Sequence, residues 1–537
     1  MDIRNEGYLN VYGPGQLLAF SALDGETSYE NGIVARTSTE GVGICVKLPA
    51  EATVRFGNTP TATFLAGDCF DITTECGNRR GAFLDAFHLL IVGPCEVSDV
   101  ADGLTVIREG DRTLLGSTAR FDKSKLHEDS ASAIADRRRW LDAQPVPPKL
   151  PDGRKRALVK AMSVMKTQVC SGEEPIDCRW TTPDRWPHRG CWLWDSAFHA
   201  IGWRHLDPAV ARDAINAVFA NQRVDGQIPI RTMPNDSHEF TQPPVLALAV
   251  MQVNDSEPDV EWLREVYPKL TAYVQWDLDN RDTDGYGLVE WAIEDNPGCR
   301  SGESGWDNSP RFDSARQLDA VDFNAMLALE CEILSSLAWT LEDAEGAEKW
   351  LETYHDLLEK INERLWDEEA GLYMDADAET GERTGVISSA GLLPLICGAP
   401  SEAQAARLVD CLRDPEMFAT WLPVPTIAVS DTENYSRDMW RGPVWLNINW
   451  LIAFGLRRYE QDDLADEIIE KTLNEVERWY EQCGSIFEFY DDRGEMAPPS
   501  MPRKGRNAPE IHPYHQVIHD YGWSSTLYVD MVFESLG

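Results

Sequence analysis

Two short segments of this 537-residue chain set carboxyl groups among aromatic rings. ESGWDNS carries Glu303 and Asp307 four residues apart in a loop containing Gly and Ser, with Trp306 beside Asp307. IFEFY carries Glu488 between Phe487 and Phe489, ahead of a polar DDRG turn. Glycoside hydrolysis needs such a pair across the scissile bond, one carboxyl protonated to assist the leaving oxygen and one ionised. An apolar wall like Trp306 disfavours the charged form of a carboxyl, which suits a general acid. In an extended segment Phe487 and Phe489 face away from Glu488 and leave its carboxylate alone on one side. With 90 Asp and Glu in the chain, composition alone does not single out this pair.

Other segments repeat the theme. RGCWLWDSAFHAIGW (189–203), FTQPPVLAL (240–248), DMWRGPVWLNINW (438–450) and YGWSSTL (521–527) each couple an aromatic ring to a polar side chain, and DGQIP (225–229) adds a polar turn. Sugars suit that combination, stacking C–H faces on rings and giving hydroxyls to polar groups. A single Trp is more simply core packing. Six separate segments with the same pairing weaken that explanation.

These segments must be positioned by two kinds of structure. Up to about residue 122, short β-rich runs such as YLNVYG, GVGICVKLP, ATVRFG and AFHLLIVG recur between Gly, Pro, Asn and Asp, which predicts a β-sandwich. Residues 123–150 read as a helix (123–141) and a proline-rich linker. From 151 to 537 helical periodicity takes over, at 154–170, 194–204, 208–222, 242–253, 258–279, 317–341, 345–365, 387–397, 402–412, 443–457, 462–480 and 522–536. About twelve helices without a repeat of fixed period predict six hairpins closed into an (α/α)6 barrel rather than an open solenoid.

The formal net charge of −41 disfavours nucleic acid and anionic membranes as partners. A carboxylate-rich surface suits a high-salt habitat, though it equally suits an acidic cytosolic enzyme, and twelve cysteines pull against the salt reading. No CxxC pair occurs, so reduced and mostly buried thiols are expected. MDIRNEGYLN has no signal-peptide pattern and no apolar run approaches a membrane span, which predicts a cytoplasmic protein. A homo-oligomer stays open.

In order, WLWDSAFHA, DGQIP, TQPP, ESGWDNSPRFD, LWDEEAGLY, MWRGPVWLNINWL, FEFY and GWSS resemble glycoside hydrolase family 63 over residues 155–535. The likeness is strongest to its bacterial and archaeal members and to the mannosylglycerate and glucosylglycerate hydrolases grouped with them, with family 37 trehalases more distant. The resemblance implies an (α/α)6 barrel and inverting hydrolysis of an α-linked glucoside or mannoside, with no metal or cofactor. It implies Asp307 as general acid and Glu488 as general base, standing roughly 6.5–9.5 Å apart. It implies further that Trp194 and Asp195 hold the non-reducing sugar and that Gln242 meets a hydroxyl of the same ring. Trp306 would stack near the scissile bond, Arg441 and Trp445 would complete the pocket, and Trp523 would close its floor. Glu303 is expected as a hydroxyl ligand. Met439, where several relatives have Tyr, and Asp491–Asp492, where relatives show Asn-Pro, bear on sugar or leaving-group preference. For an anionic glycerate leaving group, Arg311, Arg437 and Arg441 are the candidate cations.

His512, His515 and His519 in HPYHQVIH lack a fourth ligand and a defined helix, so loop packing is expected rather than a metal site. GRKRALVK (153–160) reads as a solvated helix start, and YGPGQ lacks a phosphate-loop context. Two alternatives stay open: an (α/α)6 sugar isomerase or epimerase, which would rely on histidine proton carriers, and a non-catalytic glycan-binding protein.

Overall fold

The computed structural model describes residues 6–38, 41–234, 236–505 and 515–536. Strict alternation builds the amino-terminal strands: in Ala52–Gly57, Ala52, Val54 and Phe56 turn inward while Arg55 and Gly57 are exposed. One antiparallel sheet runs in the order Leu17–Ala19, Val34–Thr37, Val42–Leu48, Ala52–Gly57, Glu96–Ser98. The second runs Leu104–Glu109, Arg112–Ser117, His88–Val92, Gly77–Asp85, Cys69–Thr74, Pro60–Leu65. Their inner faces share one core, in which Val54 and Phe56 meet Phe70, Ile72, Phe83 and Ile91. This is the predicted sandwich. Each such side chain contributes about 1.5–3 kcal/mol by leaving water.

The helices are α1 (Ser130–Asp142), α2 (Asp152–Thr167), α3 (Leu193–Trp203), α4 (Pro208–Phe219), α5 (Leu246–Ser256) and α6 (Val260–Asn280), followed by α7 (Val321–Thr340), α8 (Ala344–Leu365), α9 (Glu402–Arg413), α10 (Leu446–Arg457), α11 (Asp462–Cys483) and α12 (Gly522–Glu534). From α2 onward, together with the 3-10 helix Ser389–Cys397, they make the predicted six-hairpin α/α arrangement. Sequence distinguishes two kinds. Every residue of α3 is buried, and α10 is buried nearly throughout, as a helix apolar on all sides must be. By contrast α8 buries only Ala347, Trp350, Tyr354, Leu357, Ile361 and Leu365, a single stripe at 3–4-residue spacing. Helix starts carry their expected caps: Asp207 accepts from Ala209 N–H ahead of Pro208, and Ser401 with Gln404 forms a capping box. Val245 gives α5 no side-chain cap. Instead Glu330 of α7 accepts from Ala247 N–H (2.7 Å) and Leu248 N–H (2.9 Å), and burial pushes its carboxyl up to about 7 against those bonds.

The predicted helix at 387–397 is a 3-10 helix, Ser389–Cys397, because Pro394 cannot donate and Gly398 closes it in the left-handed region. The helix expected at 123–141 is divided into a 3-10 turn, Lys123–His127, and α1, which is capped by Asp129. Two compact units result. One joins residues 1–191 with 476–488 and 518–532; the other comprises 192–475, 489–517 and 533–537. Residues 123–150, expected as a linker, thus group with the strands, α1 lying on Cys69–Thr74 and Gly77–Asp85. The basic run of α2 is not solvated as expected: Arg154 pairs with Glu477, Arg156 with Glu481, and Lys160 is buried against Asp520. All twelve cysteines are free thiols, six of them buried. Among the described residues no helix is long and apolar enough to cross a membrane.

Candidate active site

The ESGWDNS loop is held at both ends. Glu303 is fully buried and accepts from Thr241 N–H (3.0 Å), Arg281 Nη2 (2.5 Å) and Ala292 N–H (2.8 Å). Three protein donors, Arg281 among them, anchor this carboxylate in the fold. Next comes Gly305 at φ +73, where an added Cβ would sit 2.4 Å from the Trp194 ring, so both its backbone and its contact exclude other residues. That close approach seats Trp194, at the start of α3, against the loop. Gln242 Oε1 accepts from Trp194 N–H at 3.3 Å, which ties the TQPP segment to the same place. Asp195 is buried in the first turn of α3.

Beyond Gly305 the rings gather around Trp440. Its ring stacks on Trp445 (centroids 3.8 Å apart, 7° between planes) and on Trp306 (4.6 Å, 29°), with Trp194 at 6.4 Å. Phe489 continues the cluster against Trp445 at 5.0 Å. Indole Nε1 of Trp445 donates to Met439 O, whereas Nε1 of Trp306 and of Trp440 is buried without a hydrogen-bond partner. Asn308 joins the two motif loops, its Oδ1 accepting from Trp440 N–H at 3.0 Å and its Nδ2 donating to Asp438 O. Arg441 strengthens that seam through Asn308 O and both oxygens of Asp313 (3.0 and 2.7 Å).

Asp307 is partly open, and its Oδ2 lies 2.6 Å from Lys504 Nζ. The expected neighbour of this carboxyl was an indole wall; the group set on it is an ammonium, while the Trp306 ring is stacked with Trp440. Arg311 also departs from expectation. It is fully buried, bound bidentately by Asp322 (2.8 and 2.7 Å) and Asp375 (2.7 and 2.7 Å), with its guanidinium 5.1 Å from the Trp306 ring. Burial opposes its charge, but the two carboxylates outweigh burial and push its pKa up. Arg311 is a strut under Trp306 rather than a cation open to a leaving group. Arg437 is likewise committed, to Glu495 (2.5 Å) and Asp491 (3.4 Å).

Glu488 belongs to the first unit, as does Trp523. Its segment is short and extended: Glu488 N–H donates to Ile518 O (3.0 Å), Tyr521 N–H donates to Ile486 O (3.1 Å), and Phe487 bridges His519. Ile518 N–H reaches back to Glu488 Oε2 at 3.3 Å, and Ser524 Oγ donates to Glu488 O. Asp520 secures this pair of segments. Its carboxylate accepts from Lys160 Nζ (2.9 Å), Leu17 N–H (2.8 Å) and Ser485 Oγ (2.8 Å). Trp523 is buried at the start of α12 with Tyr521 edge-on to its ring. Two residues after Glu488, Tyr490 exchanges both backbone bonds with Val444 (2.9 and 3.0 Å), both within the second unit.

Of the two motif departures, Met439 takes a left-handed φ of 51° and supplies the carbonyl that orients Trp445. Asp491 accepts from Glu495 and Met496 N–H, and Asp492 from Tyr435 OH (2.7 Å), so both close the turn after FEFY. His512 lies outside the described residues. His515 faces Arg503 O, and His519 is buried on Phe487, its pKa pushed down to about 3 by burial. A separate trio, Asp282, Asp284 and Glu290, brings carboxylates within 4.8 Å of one another, with Glu290 accepting from Thr283 N–H. Sequence reasoning missed Trp440, although it stands inside MWRGPVW, and Lys504, for which no local pattern gives a signal.

A model of the mannosylglycerate hydrolase MGH1-like glycoside hydrolase domain matches residues 188–524. Mannosylglycerate hydrolase of Thermus thermophilus is 30% identical over 385 residues, covering 56% of this chain and 88% of that protein. Mannosylglycerate hydrolase MGH1 of Selaginella moellendorffii is 26% identical, covering 56% of this chain and 75% of that protein. The crystal structure of the family 63 mannosylglycerate hydrolase from Thermus thermophilus with glucose superposes with a TM-score of 0.57 at 27% identity, covering 70% of this chain and all of that one. The chain is therefore a glycoside hydrolase and belongs to the mannosylglycerate hydrolase MGH1-like family.

Proposed function

We propose that the enzyme hydrolyses a small α-linked glucoside or mannoside with inversion, Asp307 giving the proton to the leaving oxygen and Glu488 activating water on the opposite face. A mannosyl- or glucosylglycerate is the favoured substrate, since the relatives named above are mannosylglycerate hydrolases; a short α-oligosaccharide is the neutral counterpart. One observation carries the proposal. The loop bearing Asp307 runs into a stack of indoles in which two buried N–H groups, on Trp306 and Trp440, have no acceptor among the described residues. Buried donors are normally satisfied, so these two mark a place suited to a polar partner, in the same loop as the partly open Asp307. Phe489, packed on Trp445, follows Glu488 directly in the chain.

Trp194, Asp195 and Gln242 would hold the non-reducing sugar, Trp445 its flank and Trp523 its floor, while Arg441 would complete the pocket by fixing the loop seam. An isomerase would need a histidine able to exchange protons near neutrality. Burial lowers His199 and His519 to about 3, which keeps both neutral and speaks against that alternative.

Incubation with mannosylglycerate, glucosylglycerate and aryl α-mannoside and α-glucoside, followed by proton NMR of the first-formed sugar, is the test. The β-anomer is expected first. Initial α-anomer, or isomerised sugar without hydrolysis, overturns the proposal.

A further inference from the structure

Four arginines in or paired with the motif segments are committed to carboxylates other than Asp307. Arg311 is enclosed by Asp322 and Asp375, Arg437 is bound by Glu495 and Asp491, Arg441 by Asp313, and Arg281 by Glu303. Lys504 differs. Its ion pair is with Asp307 itself, at 2.6 Å, and both side chains keep about a fifth of their surface open (20% and 22%). Its backbone is held in the left-handed region at φ 55, a strained setting for a lysine, and Gly505 N–H donates to Asp438 Oδ2 at 2.7 Å to fix the turn. Burial works against the lysine's charge and Asp307 outweighs it, so its pKa is raised and the ammonium persists.

This placement conflicts with the proton donation proposed for Asp307 unless the ammonium finds another anion. A general acid must present an oxygen to the glycosidic oxygen, and the ammonium set on Asp307 Oδ2 occupies one of its two. In a glycoside of an α-hydroxy acid, the leaving group's carboxylate is bonded to the same carbon as the glycosidic oxygen. A cation touching the acid that touches that oxygen is therefore within reach of the leaving group's charge.

Resting on the hydrolytic function proposed above, the geometry points to Lys504 as the specificity-determining residue for an anionic leaving group: it transfers its ion pair from Asp307 to a substrate carboxylate adjacent to the scissile bond. Binding of the correct substrate then frees Asp307 Oδ2 to meet the glycosidic oxygen. Neutral glycosides leave the Lys504–Asp307 pair in place and are cleaved less well. Arg311, suggested by sequence for the same task, is excluded by its enclosure.

Lys504→Gln and Lys504→Arg test this against wild type, with matching thermal midpoints as the control for folding. The measured quantity is the ratio of kcat/KM for mannosylglycerate to kcat/KM for the neutral analogue in which glycerol replaces glycerate. Losing a charge-assisted contact predicts that the ratio falls about fivefold or more in Lys504→Gln and is largely restored in Lys504→Arg. A purely structural lysine would lower both rates together, and a smaller change in the ratio overturns the inference. Calorimetric titration with D-glycerate and with glycerol gives a readout independent of turnover. Glycerate binding by Lys504→Gln as tight as by wild type also overturns it. Wild-type protein that binds glycerate through Lys504 yet cleaves no glycoside would instead sink the hydrolytic function and leave the anion site standing.

Discussion

Trp440 and Trp445 lie face to face with ring centroids 3.8 Å apart, and the same Trp440 ring meets Trp306 on the Asp307 loop. One indole thus couples the MWRGPVW and ESGWDNS motifs. Trp440→Ala is expected to cost about 3–5 kcal/mol of stability, as for other buried large-to-small changes. It should also raise KM by loosening the rings of the proposed sugar site. Chemical unfolding and steady-state kinetics on the same variant check this, and an unchanged KM would remove Trp440 from the sugar site.

Asp307→Asn and Glu488→Gln should differ in how they depend on the leaving group. An aryl group with a low pKa departs without proton assistance, so Asp307→Asn should spare activated aryl glycosides relative to mannosylglycerate. Glu488→Gln should suppress both, because every substrate needs the activated water. Equal losses on both substrates for Asp307→Asn would reassign the acid.

Arg311→Ala leaves Asp322 and Asp375 buried without their shared cation, and about 3–5 kcal/mol of destabilisation is expected. The preference between glycerate and glycerol leaving groups should stay as in wild type. A selective loss on the anionic substrate in folded Arg311→Ala protein would restore the role that sequence suggested.

Glu330 gives a pH signature. Its carboxyl, raised by burial to about 7 from an ordinary 4.5, favours the protonated form in the folded state. The stability it contributes is therefore complete below about pH 4.5 and is lost as pH rises through about 7. Glu330→Gln stays neutral throughout, so the stability advantage of wild type over this variant should shrink between pH 5 and pH 8 by a few kcal/mol. Thermal melts across that range measure it; a constant difference would mean the group stays ionised.

The sandwich and the barrel were legible because their signals are periodic, with Val54 and Phe56 alternating in one and Trp350 to Leu365 striping α8 in the other. Asp307 and Glu488 were legible as candidates because each sits in a distinctive aromatic motif. Functions that depend on which side chains meet in space were not. Glu303 and Arg311 sit in the same motif as Asp307, yet their partners, Arg281, Asp322 and Asp375, come from elsewhere in the chain, so their enclosure leaves no local trace. Lys504 lies almost two hundred residues from Asp307, in a segment whose composition announces only a turn.

Asp520 receives Leu17 N–H from an edge strand of the sandwich, and it stands in the segment paired with that of Glu488. The first strand of the sandwich therefore helps to hold the segment that pairs with that of Glu488. Removing that strand would take away one of the hydrogen bonds that hold Asp520, and with it part of the support for the segment that carries the proposed base.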